Sequence, residues 1–328
     1  MATVKNYLSL IKFSHTIFAM PFALIGFFLG IKILDESTNY FAEFRRWISG
    51  SASGWHTYYS NSDFDFPKSL NELMLRFFLV VLCMIFARSA AMAFNRYLDR
   101  SFDEKNPRTA IREIPKGIIS PNNALRFVIL NCILFVACTF FINTICFFLS
   151  PVALFIVLFY SYTKRFTSLC HFVLGLGLSL APIGAYLAVT GKFNLLPLLF
   201  SFAVLFWVSG FDVIYALQDE EFDKANNLYS IPALLGKAKA LRISELLHAL
   251  AALCVIAAGY YAHLSWIYWA GVCFFILLLI YQHSLVKPDN LSKVNLAFFT
   301  TNGIASVIFC IFVLLDLFIN KNIPPSGG

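Results

Sequence analysis

At 328 residues, 59% hydrophobic and 13% charged, with a mean hydropathy of +0.73, the chain is far more apolar than an ordinary soluble domain, where roughly 45–50% of residues are apolar. Its formal net charge of +7 comes from 25 Lys and Arg against 18 Asp and Glu. These values exclude an ordinary water-soluble domain and indicate an all-α polytopic membrane protein.

In chain order, apolar stretches long enough to cross a hydrocarbon core of about 30 Å fall at 14–34, 72–94, 122–144, 148–163, 168–190, 194–217, 241–262, 264–285 and 295–319. Nine transmembrane helices around a central cavity are therefore expected, although the break between the third and fourth rests only on Ser150-Pro151 and leaves eight or ten open. The first run contains Pro21 and lacks a small-residue cleavage site, so no cleavable signal peptide is expected. Segment 35–70 carries Trp47, Trp55, Tyr58 and Tyr59, residues that favour a membrane interface.

Basic residues follow alternate spans: Arg96, Arg100, Lys105, Arg108, Arg112 and Lys116 after the second, Lys164 and Arg165 after the fourth, and Lys224, Lys237, Lys239 and Arg242 after the sixth. The positive-inside rule makes that face cytoplasmic, with the polytopic chain in a bacterial inner membrane. Two acidic motifs share it: Asn95-x3-Asp99-x3-Asp103, and Asp212-x2-Tyr215 followed by Asp219-x3-Asp223. On helices, this spacing stacks each pair of carboxylates on one face, roughly 5–6 Å apart at Cβ, where like charges repel. A hard divalent cation with oxygen ligands relieves that repulsion.

Each acidic motif follows the second helix of a four-helix unit. The pattern suggests one domain with a parallel repeat, spans 1–4 in 1–167 and spans 5–8 in 168–287, with 295–319 appended. Such a repeat sets the acids opposite each other, where four carboxylates share two metal ions. The surrounding Arg and Lys residues point to a metal-bridged polyanion, and a diphosphate fits.

These residues resemble the UbiA superfamily of intramembrane prenyltransferases. The two Asp motifs carry the resemblance, with Asn106-Pro107-Arg108-Thr109-Ala110-Ile111-Arg112, Tyr160-x3-Lys164-Arg165-Phe166 and the opening Lys12-Phe13-Ser14-His15-Thr16. The resemblance implies Mg²⁺ dependence and transfer of a polyprenyl group from its diphosphate to an aromatic ring, with the 4-hydroxybenzoate polyprenyltransferases of quinone biosynthesis most similar. Segment 35–70 departs from the family by its length.

On that basis Asp99, Asp103, Asp219 and Asp223 are the expected Mg²⁺ ligands, with Asn95 completing or orienting the first shell. Arg100, Arg108, Arg112, Lys164, Arg165 and Lys224 are candidates for the diphosphate charge. Tyr215 and Tyr160, with Tyr97 and Tyr162 at a similar level, are candidates to face an allylic carbocation. Asp212, two turns deeper than Asp219, is the candidate acid for the acceptor's phenol, and Lys12, His15 or Arg88 for its carboxylate. The expected partners are a polyprenyl diphosphate, an aromatic acceptor and the lipid bilayer, with no nucleic acid. Rival readings are a naphthoate acceptor of menaquinone biosynthesis, a haem acceptor, and a transporter of a divalent cation or phosphorylated solute. The eight cysteines show no C-x-x-C and read as small apolar residues.

Overall fold

The computed structural model describes residues 3–11, 20–38, 67 and 69–320. Lys12, His15 and most of segment 35–70 lie outside the described residues. Helices dominate the remainder, and among the described residues the sole β pairing is an isolated bridge between Lys287 and Asn290.

A short helix α1 (Val4–Leu10) precedes α2 (Met20–Thr38), α3 (Leu70–Leu98) and a one-turn α4 (Arg100–Lys105). Next come α5 (Pro121–Ile142), α6 (Thr144–Thr163), α7 (Cys170–Thr190) and α8 (Leu195–Ala216). A 3₁₀ turn (Leu217–Asp219) leads into the short α9 (Glu220–Ala225) and α10 (Ile231–Leu235). The chain then forms α11 (Lys237–Tyr261), α12 (Trp266–Leu285), a π-helical turn (Leu296–Thr301) and α13 (Asn302–Ile319). Among the described residues, eight helices are long and apolar enough to cross a membrane, and Met20–Leu34 adds a shorter apolar helix. The protein is an integral membrane protein.

Local chemistry sets the helix ends. Ser69 accepts from Glu72 N–H in an S-x-x-E capping box, and Ser120 precedes Pro121 at a position that needs no amide donor. The break between the third and fourth expected spans lies at Asn143 rather than at Ser150-Pro151. Asn143 is extended, accepts from Cys146 N–H and donates to the Leu187 and Ala188 carbonyls of α7. Pro151 sits inside α6, where it has no amide for Phe147 O. The Ser150 hydroxyl donates to that carbonyl instead, at 2.7 Å.

Lipid is as apolar as the core, so close contact rather than hydrophobicity drives helix association here. At Gly26 of α2 an added Cβ would lie 2.0 Å from the Pro182 carbonyl oxygen of α7, and at Gly175 of α7 it would lie 2.4 Å from Ser209 Oγ of α8. These glycines let α7 pack against α2 and α8 while α11 covers the other side of α8. The buried aromatic centre contains Phe22, Phe200, Trp207, Tyr268, Phe275 and Phe309, with Trp207 Nε1 donating to Asn302 Oδ1 at 3.2 Å.

Candidate active site

Both acidic motifs form at helix ends, where a transmembrane helix gives way to a single further turn. Asp99 caps α3 and begins α4, which carries Asp103. Asp219 closes the 3₁₀ turn after α8 and begins α9, which carries Asp223. Each of the four carboxylates is paired with a different basic side chain.

Arg165 Nη2 donates to Asp99 Oδ1 at 3.1 Å, and Asn95 Nδ2 donates to Asp99 Oδ2 at 3.0 Å. Arg112 Nη1 straddles both oxygens of Asp103 at 2.7 and 2.8 Å. Arg108 grips Asp219 through Nε and Nη2 and donates from Nη1 to the Tyr215 hydroxyl at 2.8 Å. Lys164 Nζ lies 2.8 Å from Asp223 Oδ1, and Ser230 Oγ donates to Oδ2 at 2.9 Å. The loop after the first motif thus reaches the second, because Asn106 and Arg108 both meet Asp219.

Burial pushes the Asp99 carboxyl up to about 6; Arg165 opposes that rise and the neighbouring Asp103 adds to it. Burial draws the Lys164 ammonium down, but Asp223 beside it holds it above its ordinary value. Asp219 does the same for Arg108.

Not every candidate converges. Arg100 turns back to the Tyr97 carbonyl at 2.7 Å and stacks on that ring, while Lys224 pairs with Glu220 at 2.6 Å and is half-exposed. Tyr215 packs against Phe298 with ring centroids 4.2 Å apart. Phe298 lies on the π-helical turn, whose Ala297 carbonyl accepts from Gln282. Asp212 faces His171, with Nδ1 and Oδ2 2.7 Å apart. His171 escaped sequence reasoning because a single histidine at a helix start has no partner at helical spacing.

Beyond the charged cluster, an apolar cavity of about 360 Å³ runs between α3, α5, α6 and α7. Arg88 and Tyr160 line it. Arg88 Nε has no hydrogen-bond partner among the described residues.

The donor set suits Mg²⁺: hard carboxylate oxygens in two pairs. Among the described residues, no group of three or more His, Cys, Asp or Glu converges as a ready metal cage. Mg²⁺ does not require one, since it commonly binds one or two carboxylates and completes its shell with water and substrate phosphates.

The sequence pattern of the UbiA prenyltransferase family matches residues 60–304. A 4-hydroxybenzoate octaprenyltransferase of Francisella tularensis subsp. mediasiatica is 29% identical over 231 residues, covering 70% of this chain and 81% of that protein. One from Alcanivorax borkumensis is 33% identical over 211 residues, 64% of this chain and 71% of that protein. Among solved structures, the apo UbiA homologue from Aeropyrum pernix K1 superposes with a TM-score of 0.73 at 28% identity, covering 92% of this chain and 98% of that one. A UbiA homologue from Archaeoglobus fulgidus bound to DMAPP and Mg²⁺ shares the fold with a TM-score of 0.68 at 18% identity, over 96% and 99% of the two chains.

Proposed function

The chain belongs to the UbiA prenyltransferase family, and on that premise we propose that this membrane enzyme transfers a polyprenyl group from its diphosphate to the ring of 4-hydroxybenzoate or a similar aromatic acid. One observation carries the proposal: the helix that lines the apolar cavity with Tyr160 ends in Lys164 and Arg165, which hold Asp223 and Asp99 of the two acidic motifs. A substrate with a charged head and a long apolar tail has both of its needs met along that helix. The transport reading gives way to family membership.

The diphosphate binds at the cytoplasmic end of the bundle. Mg²⁺, one ion for each of the two carboxylate pairs, would when bound supply positive charge against the negative charge that grows on the leaving diphosphate.

 The chain's own part is an exchange of partners: Asp99, Asp103, Asp219 and Asp223 would hold the metal, and Arg165, Arg112, Arg108 and Lys164, which pair with them in this structure, would then be free for phosphate oxygens. Asn95 orients Asp99 through its amide. Breaking the allylic C–O bond leaves a carbocation, which the faces of Tyr215 and Tyr160 shield from water. Ring attack ortho to the hydroxyl forms the new C–C bond, and the ring proton lost there balances the exchange. Asp212 meets the acceptor's phenol, and Arg88, with an unpaired Nε beside the cavity, meets its carboxylate. Lys12 and His15, the other carboxylate candidates, lie outside the described residues. The same proposal treats the chain as one domain with related halves, each placing its acids after a second helix.

The test is to incubate membranes with labelled polyprenyl diphosphate, Mg²⁺ and a panel of hydroxylated aromatic acids that includes a dihydroxynaphthoate. A lipid-extractable labelled product with 4-hydroxybenzoate, lost with EDTA and restored by Mg²⁺, is expected. A product with the naphthoate alone would move the acceptor to menaquinone biosynthesis, and no product with any aromatic acid would overturn the proposal.

A further inference from the structure

His171 lies in the first turn of α7, its side chain 3% exposed, with Nδ1 2.7 Å from Asp212 Oδ2. The second ring nitrogen determines where the proton sits. Ile231 N–H approaches Nε2 at 3.3 Å, and a backbone amide can only donate. Nε2 is therefore the acceptor, and the proton is on Nδ1, aimed at Asp212.

The contact depends on tight packing of two helices. Gly175 leaves room for Ser209 of α8, whose single hydroxyl proton is shared between the Leu205 carbonyl at 2.7 Å and the His171 carbonyl at 3.1 Å. Asp212 follows Ser209 by three residues, so it projects from the same side of α8. Ile231 belongs to the turn that opens α10, and its neighbour Ser230 donates to Asp223 Oδ2 at 2.9 Å. One turn of chain is thus bonded both to His171 and to Asp223.

We infer that His171 is a positioning residue, which fixes the carboxylate of Asp212 toward the acceptor and ties it to the turn that seats Asp223. A neutral N–H donor suits this role. It holds one carboxylate oxygen in place without the full positive charge of an Arg or Lys, which would weaken Asp212 as a proton acceptor. Asp212 remains 22% exposed, so the contact with His171 does not close off its carboxylate. The inference rests on the proposed role of Asp212 at the acceptor's phenol.

The experiment compares purified wild type with His171→Phe, His171→Asn, Asp212→Asn and the double variant H171F/D212N, reading kcat and KM for both substrates. Phe keeps the ring volume but removes both hydrogen bonds, whereas Asn keeps a donor near the Nδ1 position. The expected result is a kcat loss of about 10- to 100-fold in H171F, of the size seen when a residue that orients a reacting group is removed. KM for the prenyl diphosphate should stay within about twofold, H171N should recover most of the rate, and the double variant should be no slower than D212N. Full activity in H171F with a slow D212N overturns the inference alone. Full activity in D212N overturns its premise. Losses that multiply in the double variant, or a slow H171F that H171N does not rescue, also overturn the positioning role.

Discussion

Lys164 and Arg165 are neighbours in the chain, yet they grip opposite acidic motifs: Lys164 Nζ lies 2.8 Å from Asp223 Oδ1, and Arg165 Nη2 lies 3.1 Å from Asp99 Oδ1. A dipeptide at the end of α6 therefore spans the gap between two motifs more than a hundred residues apart in sequence. This brings the two acidic motifs together at one end of the bundle. A chain that had put the motifs on opposite membrane faces would not allow that contact.

Asp223 is fully buried, and Lys164 is the cation beside it. Replacing Lys164 with Ala removes one partner of a buried pair, a change that costs about 3–5 kcal/mol when nothing else compensates. Mg²⁺ can supply the missing positive charge. Lys164→Ala should melt at a lower temperature than wild type in detergent without metal, and Mg²⁺ should raise its melting temperature more than it raises that of wild type. Equal shifts in the two proteins would mean that the ammonium and the metal do not serve the same carboxylate.

Asp99→Ala and Asp219→Ala should each reduce turnover by at least about a hundredfold, the scale for losing a preorganised electrostatic contribution to the transition state. Helical content should be unchanged. Arg108→Lys tests the other half of the exchange, because a lysine cannot hold Asp219 through two nitrogens and reach Tyr215 as well. A rise of about tenfold in KM for the prenyl diphosphate is expected from losing one charged hydrogen bond, with kcat less affected. An unchanged KM would detach Arg108 from the diphosphate.

Much of this site is legible in the sequence because its elements are local. Asn95, Asp99 and Asp103 follow helical spacing, and so do Asp212, Tyr215, Asp219 and Asp223, while the number of crossings between the motifs brings them to one face. Which base meets which acid is decided by chain separation that no periodicity encodes: Arg108 lies 111 residues from Asp219, and Arg165 lies 66 residues from Asp99. The same limit hides His171, 41 residues from Asp212. The helix break is missed for another reason. Proline inside a helix removes one donor, which reads as an end, but the Ser150 hydroxyl fills the gap and Asn143 makes the true cap.

That substitution of donors can be measured. Ser150→Ala leaves the Phe147 carbonyl without its hydroxyl partner, a loss of about 1 kcal/mol. Pro151→Ala restores a backbone N–H that can reach the same carbonyl. The double variant S150A/P151A should therefore be closer to wild type in thermal stability than S150A alone. Additive losses would show that the hydroxyl does not replace the proline's missing donor.

The cavity gives a test of where the prenyl tail lies. Gly184 lines it, and a Cβ added there would meet nothing within 4 Å. Gly184→Leu should fill space without disturbing helix packing, and loss of a mid-helix glycine itself favours the helix by about 0.8–1.0 kcal/mol. Stability should hold or rise. A tail that runs along α7 must then compete with the leucine, so the KM for a long polyprenyl diphosphate should increase while that for a five-carbon analogue changes little. Equal KM changes for the two lengths would place the tail outside this cavity, and the comparison is clean because the charged end of the substrate, held by residues far from Gly184 in the chain, is the same in both.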